Sequence, residues 1–226
     1  MGLALIIGNK NYSSWSFRPW LAMKVAGIGF EETVISLDDP NFKATVLKHS
    51  PVGKVPILVD GDVRVWESTA ILEYLAEKFP QAGLWPARTD ARAHARAIAA
   101  EMHASFLPLR HEYPMNFWRP VQARPRTPEA QANIERIDAM WTDCRARFGE
   151  GGPFLFGTFS AADAMYAPVV ARFHTYAVEI GAAGRAYMDA VMGLPAWAQW
   201  REAALREPWV LAQDEPDWPL VLRGEN

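Results

Sequence analysis

The sequence holds a single cysteine, Cys144. One thiol excludes an internal disulfide and any Cys-x-x-Cys redox or zinc motif, and it suits a reducing cytoplasm. An excess of positive charge is also missing. Lys and Arg number 23 against 26 Asp and Glu, a net charge of −3 spread over mixed-sign positions. Without a basic stripe there is no footprint for a phosphate backbone, so no nucleic-acid partner is expected. Long apolar runs are absent too. "LALII" at Leu3–Ile7 is too short for a signal or membrane segment and lacks a basic lead. These absences predict a soluble cytoplasmic protein with no membrane partner. The histidines show no ligand spacing, so no metal is expected. There is no G-x-S-x-G elbow, no readable Ser-His-Asp arrangement, no internal repeat and no low-complexity tract.

What is present divides by pattern. Half of the 226 residues are hydrophobic, enough for a sizeable core. "LALII" reads as a buried strand closed by Gly8-Asn9. From Trp15 to Ala26 the period turns helical, with Phe17, Trp20, Leu21 and Val25 on one face. "EETVISL" reads as a second strand and "DDPNFKATVLKHS" as a short helix. "VPILVDGDVRVW" gives two strands joined at Asp60-Gly61, and "ESTAILEYLAEKF" an amphipathic helix. The order β-α-β-α-β-β-α requires a parallel strand pair with a right-handed crossover, then a hairpin. "PQAGLWPARTD" reads as a linker, after which strand signals vanish. One long helix, bent at Pro108, is expected over "DARAHARAIAAEMHASFLPLRHEY". Thr127-Pro128-Glu129 opens another helix whose core stripe includes Cys144, the pattern of an inert buried thiol. The boundaries read as an α/β domain at 1–80, a linker at 81–90 and an all-α domain at 91–226.

Four places carry chemistry. Ser13, Ser14 and Ser16 lie between the first strand and the first helix, where unpaired amides and the helix dipole favour an anion. Capping accounts for one hydroxyl but not for three. Val55-Pro56 opens a strand. Its bond is trans on the residues alone, whereas a cis bond would turn the Val55 backbone toward a ligand. Glu67-Ser68 opens the third helix, either as a cap or as a grip for the ammonium and carboxylate of an amino-acid end. In the all-α half, His103, Phe106 and Arg110 share one helix stripe, either as an interdomain polar patch or as a pocket wall. Ser160-Ala-Ala-Asp163 matches a capping box with Asp in the Glu place, a structural feature.

Strand, "SSWSFR", helix, then "GKVP", then "ES" opening helix three, then an all-α half with "SAAD": this series resembles the cytosolic glutathione S-transferase family across essentially the whole chain. The likeness is to its serine-type, zeta- or theta-like members of bacterial appearance. It implies an α/β thioredoxin-like domain followed by an all-helical domain, usually in a homodimer, with detoxification as the role. It implies glutathione as co-substrate and a small electrophile as second substrate. Under the resemblance Val55-Pro56 is cis, Val55 pairs with the cysteinyl backbone, and Glu67 and Ser68 hold the γ-glutamyl end. Lys43, His49 or Lys54 meets the glycine carboxylate, with Lys54 favoured. Ser14 or Ser13 faces the thiol, Ser14 by theta-like and Ser13 by zeta-like spacing, with Ser14 favoured and Ser16 beside them on the ligand. His103, Phe106 and Arg110 line the electrophile pocket. Trp15 stands where the zeta-class signature has Cys, which disfavours the cysteine-based reductases and bears on the rival reading of a glutathione-dependent isomerase like maleylacetoacetate isomerase. A non-catalytic binding protein on the same fold is the other rival.

Overall fold

In the computed structural model, which describes residues 2–215, four strands form one sheet in the order β2-β1-β3-β4: β1 (Leu3–Ile7), β2 (Phe30–Val34), β3 (Ile57–Asp60) and β4 (Val63–Trp66). β1 runs parallel to β2 and antiparallel to β3, and β3 and β4 form the hairpin. Gly61 supplies the left-handed turn residue at φ +56°. The helices of this half are α1 (Ser14–Val25), α2 (Phe42–Val46) and α3 (Ser68–Lys78).

The register fixes where a site can form. Ile6 faces Ile57 and Ile57 faces Trp66. The exit of β1, the entry of β3 and the exit of β4 therefore meet at one end of the sheet. The flanking segments are Ser13-Ser14, Val55-Pro56 and Glu67-Ser68, which tertiary pairing brings side by side.

The rest of the chain is helical: α4 (Thr89–Ala104), α5 (Leu107–Glu112), α6 (Pro128–Phe148), α7 (Ala161–Thr175), α8 (Ala182–Met192) and α9 (Pro195–Leu205). Residues 216–226 of the expected helical domain lie outside the described residues. No described helix is long and apolar enough to cross a membrane. One continuous apolar core joins the two halves, from Leu5 and Phe17 to Trp141 and Trp200. Phe17 stacks on Trp200 at 4.7 Å between ring centroids. α7 is buried along nearly its whole length and touches both α1 and α4. Its start is held by the Ser160–Asp163 capping box. The Asp163 carboxylate accepts from Ser160 N, Ser160 Oγ and Leu155 N at 2.8, 2.8 and 3.1 Å.

One expectation is corrected. The long helix bent at Pro108 is two helices, broken three residues earlier. Ser105 ends α4 in an extended conformation and Phe106 adopts a left-handed one, φ +63°. Pro108 then sits in the first turn of α5, where its missing N–H costs nothing.

Candidate functional site

Two cavities open at the end of the sheet that carries the motifs. The first, of about 330 Å³, is lined by Val52, Lys54, Val55, Pro56, Trp66, Glu67, Ser68 and His103. The second, of about 360 Å³, takes in Ser13, Ser14, Leu107, Met115 and Arg172. Trp15, Lys54, Val55 and Arg110 line both and form the seam between them.

The Val55–Pro56 bond is cis. Glu67 precedes α3 at φ +68°, an unusual conformation for a residue with a Cβ. Its side chain makes no capping hydrogen bond, so it does not behave as a simple cap. The carboxylate lies 3.7 Å from His103 Nε2, and His103 Nδ1 lies 3.0 Å from the Thr69 hydroxyl. Ser68 is the first residue of α3, buried, with its hydroxyl 3.9 Å from Met165 Sδ.

The three serines separate. Ser13 Oγ donates to Ser16 Oγ at 2.7 Å, and Gly8 N donates to the same oxygen at 3.1 Å. Ser16 is fully buried and lines neither cavity. Its assignment to the ligand is therefore corrected: it ties the β1 exit to α1. Ser13 reaches the second cavity, but its proton is directed inward. The Ser14 hydroxyl has no hydrogen-bond partner among the described residues and lines the second cavity. The Trp15 and Ser16 amides at the start of α1 are likewise unpaired there, leaving a helix N-terminus open to an anion.

Phe106 is also corrected. Its left-handed backbone turns the side chain into the core, 6% exposed, and it lines neither cavity. His103 belongs to the first cavity alone and Arg110 to both. Lys43 and His49 line neither. Burial pushes the Cys144 thiol up to about 12, so it stays protonated in its apolar stripe.

Two arginines to which the sequence motifs assign no role also stand at the site. Arg18 is 1% exposed; its Nε donates to Met165 O, and its Nη1 has no partner. Arg172, 5% exposed, lines the second cavity and donates from Nε to Tyr113 O and from Nη1 to Pro168 O. The signal was legible: each is a charge inside an otherwise buried run, "SFRPW" and "VVARF". The Arg18 and Arg110 guanidinium carbons lie 4.0 and 4.5 Å from the centroid of the Trp15 ring, and His103 meets that ring edge-on at 5.2 Å.

The loop between β1 and α1 is clamped by distant groups. The Glu207 carboxylate accepts from Lys10 N and Asn11 N at 2.6 and 3.0 Å, and Asn11 Oδ1 accepts from Phe117 N at 2.7 Å. Trp200 Nε1 donates to Lys10 O at 2.9 Å.

A four-stranded sheet with a cis proline at the entry of its third strand, backed by an all-helical half, defines a thioredoxin-like domain with a helical companion. Models of the glutathione S-transferase N-terminal and C-terminal domains match residues 12–78 and 122–203. The chain belongs to the glutathione S-transferase family. A zeta-class glutathione S-transferase of Euphorbia esula is 33% identical over 126 residues, 55% of this chain and 56% of that one. A probable maleylacetoacetate isomerase of Caenorhabditis elegans is 37% identical over 98 residues, 43% and 45% of the two chains. The chain thus spans about half the length of the curated relatives it matches. A Burkholderia glutathione transferase homologue solved with bound glutathione superposes with a TM-score of 0.69 over 90% of this chain and 98% of that one, at 22% identity, a likeness of fold.

Proposed function

We propose that the protein is a glutathione transferase that holds glutathione in the first cavity and presents its sulfur, as thiolate, to a small electrophile in the second. The observation that carries this reading is the free Ser14 hydroxyl beside the unpaired α1 amides, across the seam from the Val55 backbone. In this reading Val55 pairs edge-on with the cysteinyl unit, in the manner of an added strand. Glu67 takes the ammonium of the γ-glutamyl end, Ser68 and the α3 N-terminus take its carboxylate, and Lys54 takes the glycine carboxylate. His103 moves from the electrophile pocket to this end, as the neighbour of Glu67.

A free thiol with a pKa near 8.5 is only a few per cent ionised at neutral pH. Lowering it by about two units requires about 2.7 kcal/mol of preferential stabilisation of the thiolate. One charge-assisted hydrogen bond from Ser14, roughly 1.5–3 kcal/mol, with roughly 0.3–1 kcal/mol from the helix end, is enough. Thiolate absorbance of the bound tripeptide against pH tests this. Ser14→Ala should raise the midpoint by at least one unit; an unchanged midpoint removes Ser14 from the role.

We infer a cytoplasmic, detoxifying enzyme working as a homodimer, with domains at 1–80 and 91–226 about a linker at 81–90. The buried single thiol and the exposed apolar side chains of Val52, Val63 and Trp66 support location and self-association. Sedimentation at a monomer's mass would remove the dimer. Glutathione binding without turnover of any electrophile would favour the non-catalytic rival.

A further inference from the structure

The second cavity carries arginines that no described carboxylate holds in an ion pair. Arg110 and Arg172 both line it, together with Ser14. Neither makes an ion pair with a described carboxylate, and neither does Arg18, which stacks on the Trp15 wall within 4.0 Å of the ring centroid. Arg110 makes only long contacts, 3.3 and 3.5 Å, from Nη1 to the carbonyls of Ser105 and His103, leaving Nε and Nη2 without partners. Arg172 Nη2 has none either. One carboxylate, Asp214, shares the cavity lining, and it does not reach ion-pair distance of either arginine. Burial pushes all three guanidinium groups below their ordinary range; repulsion from Arg110 adds to it at Arg18 and Arg172, and attraction from Asp214 offsets part of it at Arg172, which comes to about 10. Buried and half-buried like charges that no carboxylate pairs with at close range destabilise a fold unless an anion joins them. Around them the lining is mixed: Lys54, His111 and Gln213 are polar, and Trp15, Leu107 and Met115 supply apolar and aromatic surface. Such a cavity suits a molecule with an apolar body and an anionic head.

We propose that the electrophile is an acid: its carboxylate seats between Arg110 and Arg172 while its reactive carbon faces the sulfur beside Ser14. Arginine's planar fork matches a carboxylate better than a lysine's point charge would. This rests on the glutathione-transferase reading and narrows its second substrate from a merely hydrophobic electrophile to a carboxylate-bearing one.

A matched pair of aryl halides tests it: 4-chloro-3,5-dinitrobenzoate and its neutral N-methylamide. With each, the thiolate carbon–sulfur bond forms at the ring carbon and the carbon–chlorine bond breaks. Chloride leaves with the bonding electrons, and the thiol proton goes to solvent. The quantity read is the acid-to-amide ratio of kcat/KM, each divided by its uncatalysed rate with glutathione. The wild type should favour the acid at least tenfold, the size of one charge-assisted hydrogen bond. Arg110→Met should pull the ratio toward one whatever the absolute rate, and Arg110→Lys should restore part of it. Arg172→Met should do the same where it folds. A variant-free measurement stands beside it: the glutathione conjugate of the acid should bind wild type at least tenfold more tightly than the conjugate of the amide, and raise Tm more. Glutathione-dependent turnover of both halides at a ratio near one, or equal affinity for both conjugates, overturns the proposal and leaves the transferase reading standing. Failure to bind glutathione at all overturns both.

Discussion

The two cavities share a wall but not an origin. The first draws most of its lining from one continuous stretch, Val52 to Ser68, folded back by a hairpin. The second is assembled from α1, α5, α7 and the segment after α9, elements up to two hundred residues apart. Their chemistry differs as well. The first pairs an acid, Glu67, with His103, whereas the second gathers arginines without a described carboxylate at ion-pair distance. A recognition site for an invariant partner can be written locally, because hydrogen-bonding backbone and helix ends come with the turn that makes them. A pocket whose occupant varies is shaped by how helices meet.

Substitutions at five positions bear on that contrast. The largest expected effect is on the local cavity. Glu67→Ala with Ser68→Ala should weaken glutathione binding about 1,000-fold, two charge-assisted contacts of about 2 kcal/mol each. Calorimetry that finds less than a tenfold change would place the γ-glutamyl end elsewhere.

Next is the shared foundation. α7 supplies Met165 behind the first cavity and Arg172 to the second. Asp163→Ala should cost about 3 kcal/mol in urea unfolding, because buried donors lose their acceptor. pH sharpens this. Burial pushes the Asp163 carboxyl up to about 6, above the 3.8 ordinary for an aspartate. The folded protein then binds this proton more tightly than the unfolded chain. Asp163 therefore lowers stability progressively as pH rises from about 4 to 6, and no further above. Asp163→Asn should flatten that segment of the urea midpoint against pH; an unaltered profile would assign the slope to other groups.

A smaller effect separates the cavities directly. His103→Gln should shift glutathione affinity about fivefold, roughly 1 kcal/mol, and leave electrophile KM within twofold, since His103 lines only the first cavity. The reverse split in steady-state kinetics would return His103 to the electrophile. Smallest is Ser16→Ala, which strands the Gly8 N–H and should cost about 1 kcal/mol of stability while glutathione affinity stays constant. Lost affinity with full stability would make Ser16 a ligand contact after all.

Much of the first half was legible in residues. The Asp60-Gly61 turn, the strand alternation and the serine-rich helix start each follow from local stereochemistry, and the structure differs by only a few residues at their ends. The break at Phe106 was not legible, because nothing in "HASFLPL" demands a left-handed aromatic residue; core burial of its ring imposes it. The sorting of Ser13, Ser14 and Ser16 was likewise hidden. It depends on the Gly8 amide reaching one hydroxyl, a contact eight residues away. Arg18 and Arg172 stood out only as charges within apolar runs, a pattern that marks a buried charge without saying what it faces.

By itself, the sequence determined the β-α-β-α-β-β-α order of its first half, the lack of a second cysteine for Cys144 to pair with, and the hydroxyl, acid and backbone groups on which the proposed glutathione site draws. Periodicity, turn residues and capping act within a few residues, so they are written in the chain. Only the tertiary structure decided which serine is free, that Trp15 forms the wall between two cavities, and that Arg18, Arg110 and Arg172 converge there. Those outcomes depend on pairing register and helix packing, which bring together residues whose separation along the chain carries no local signal.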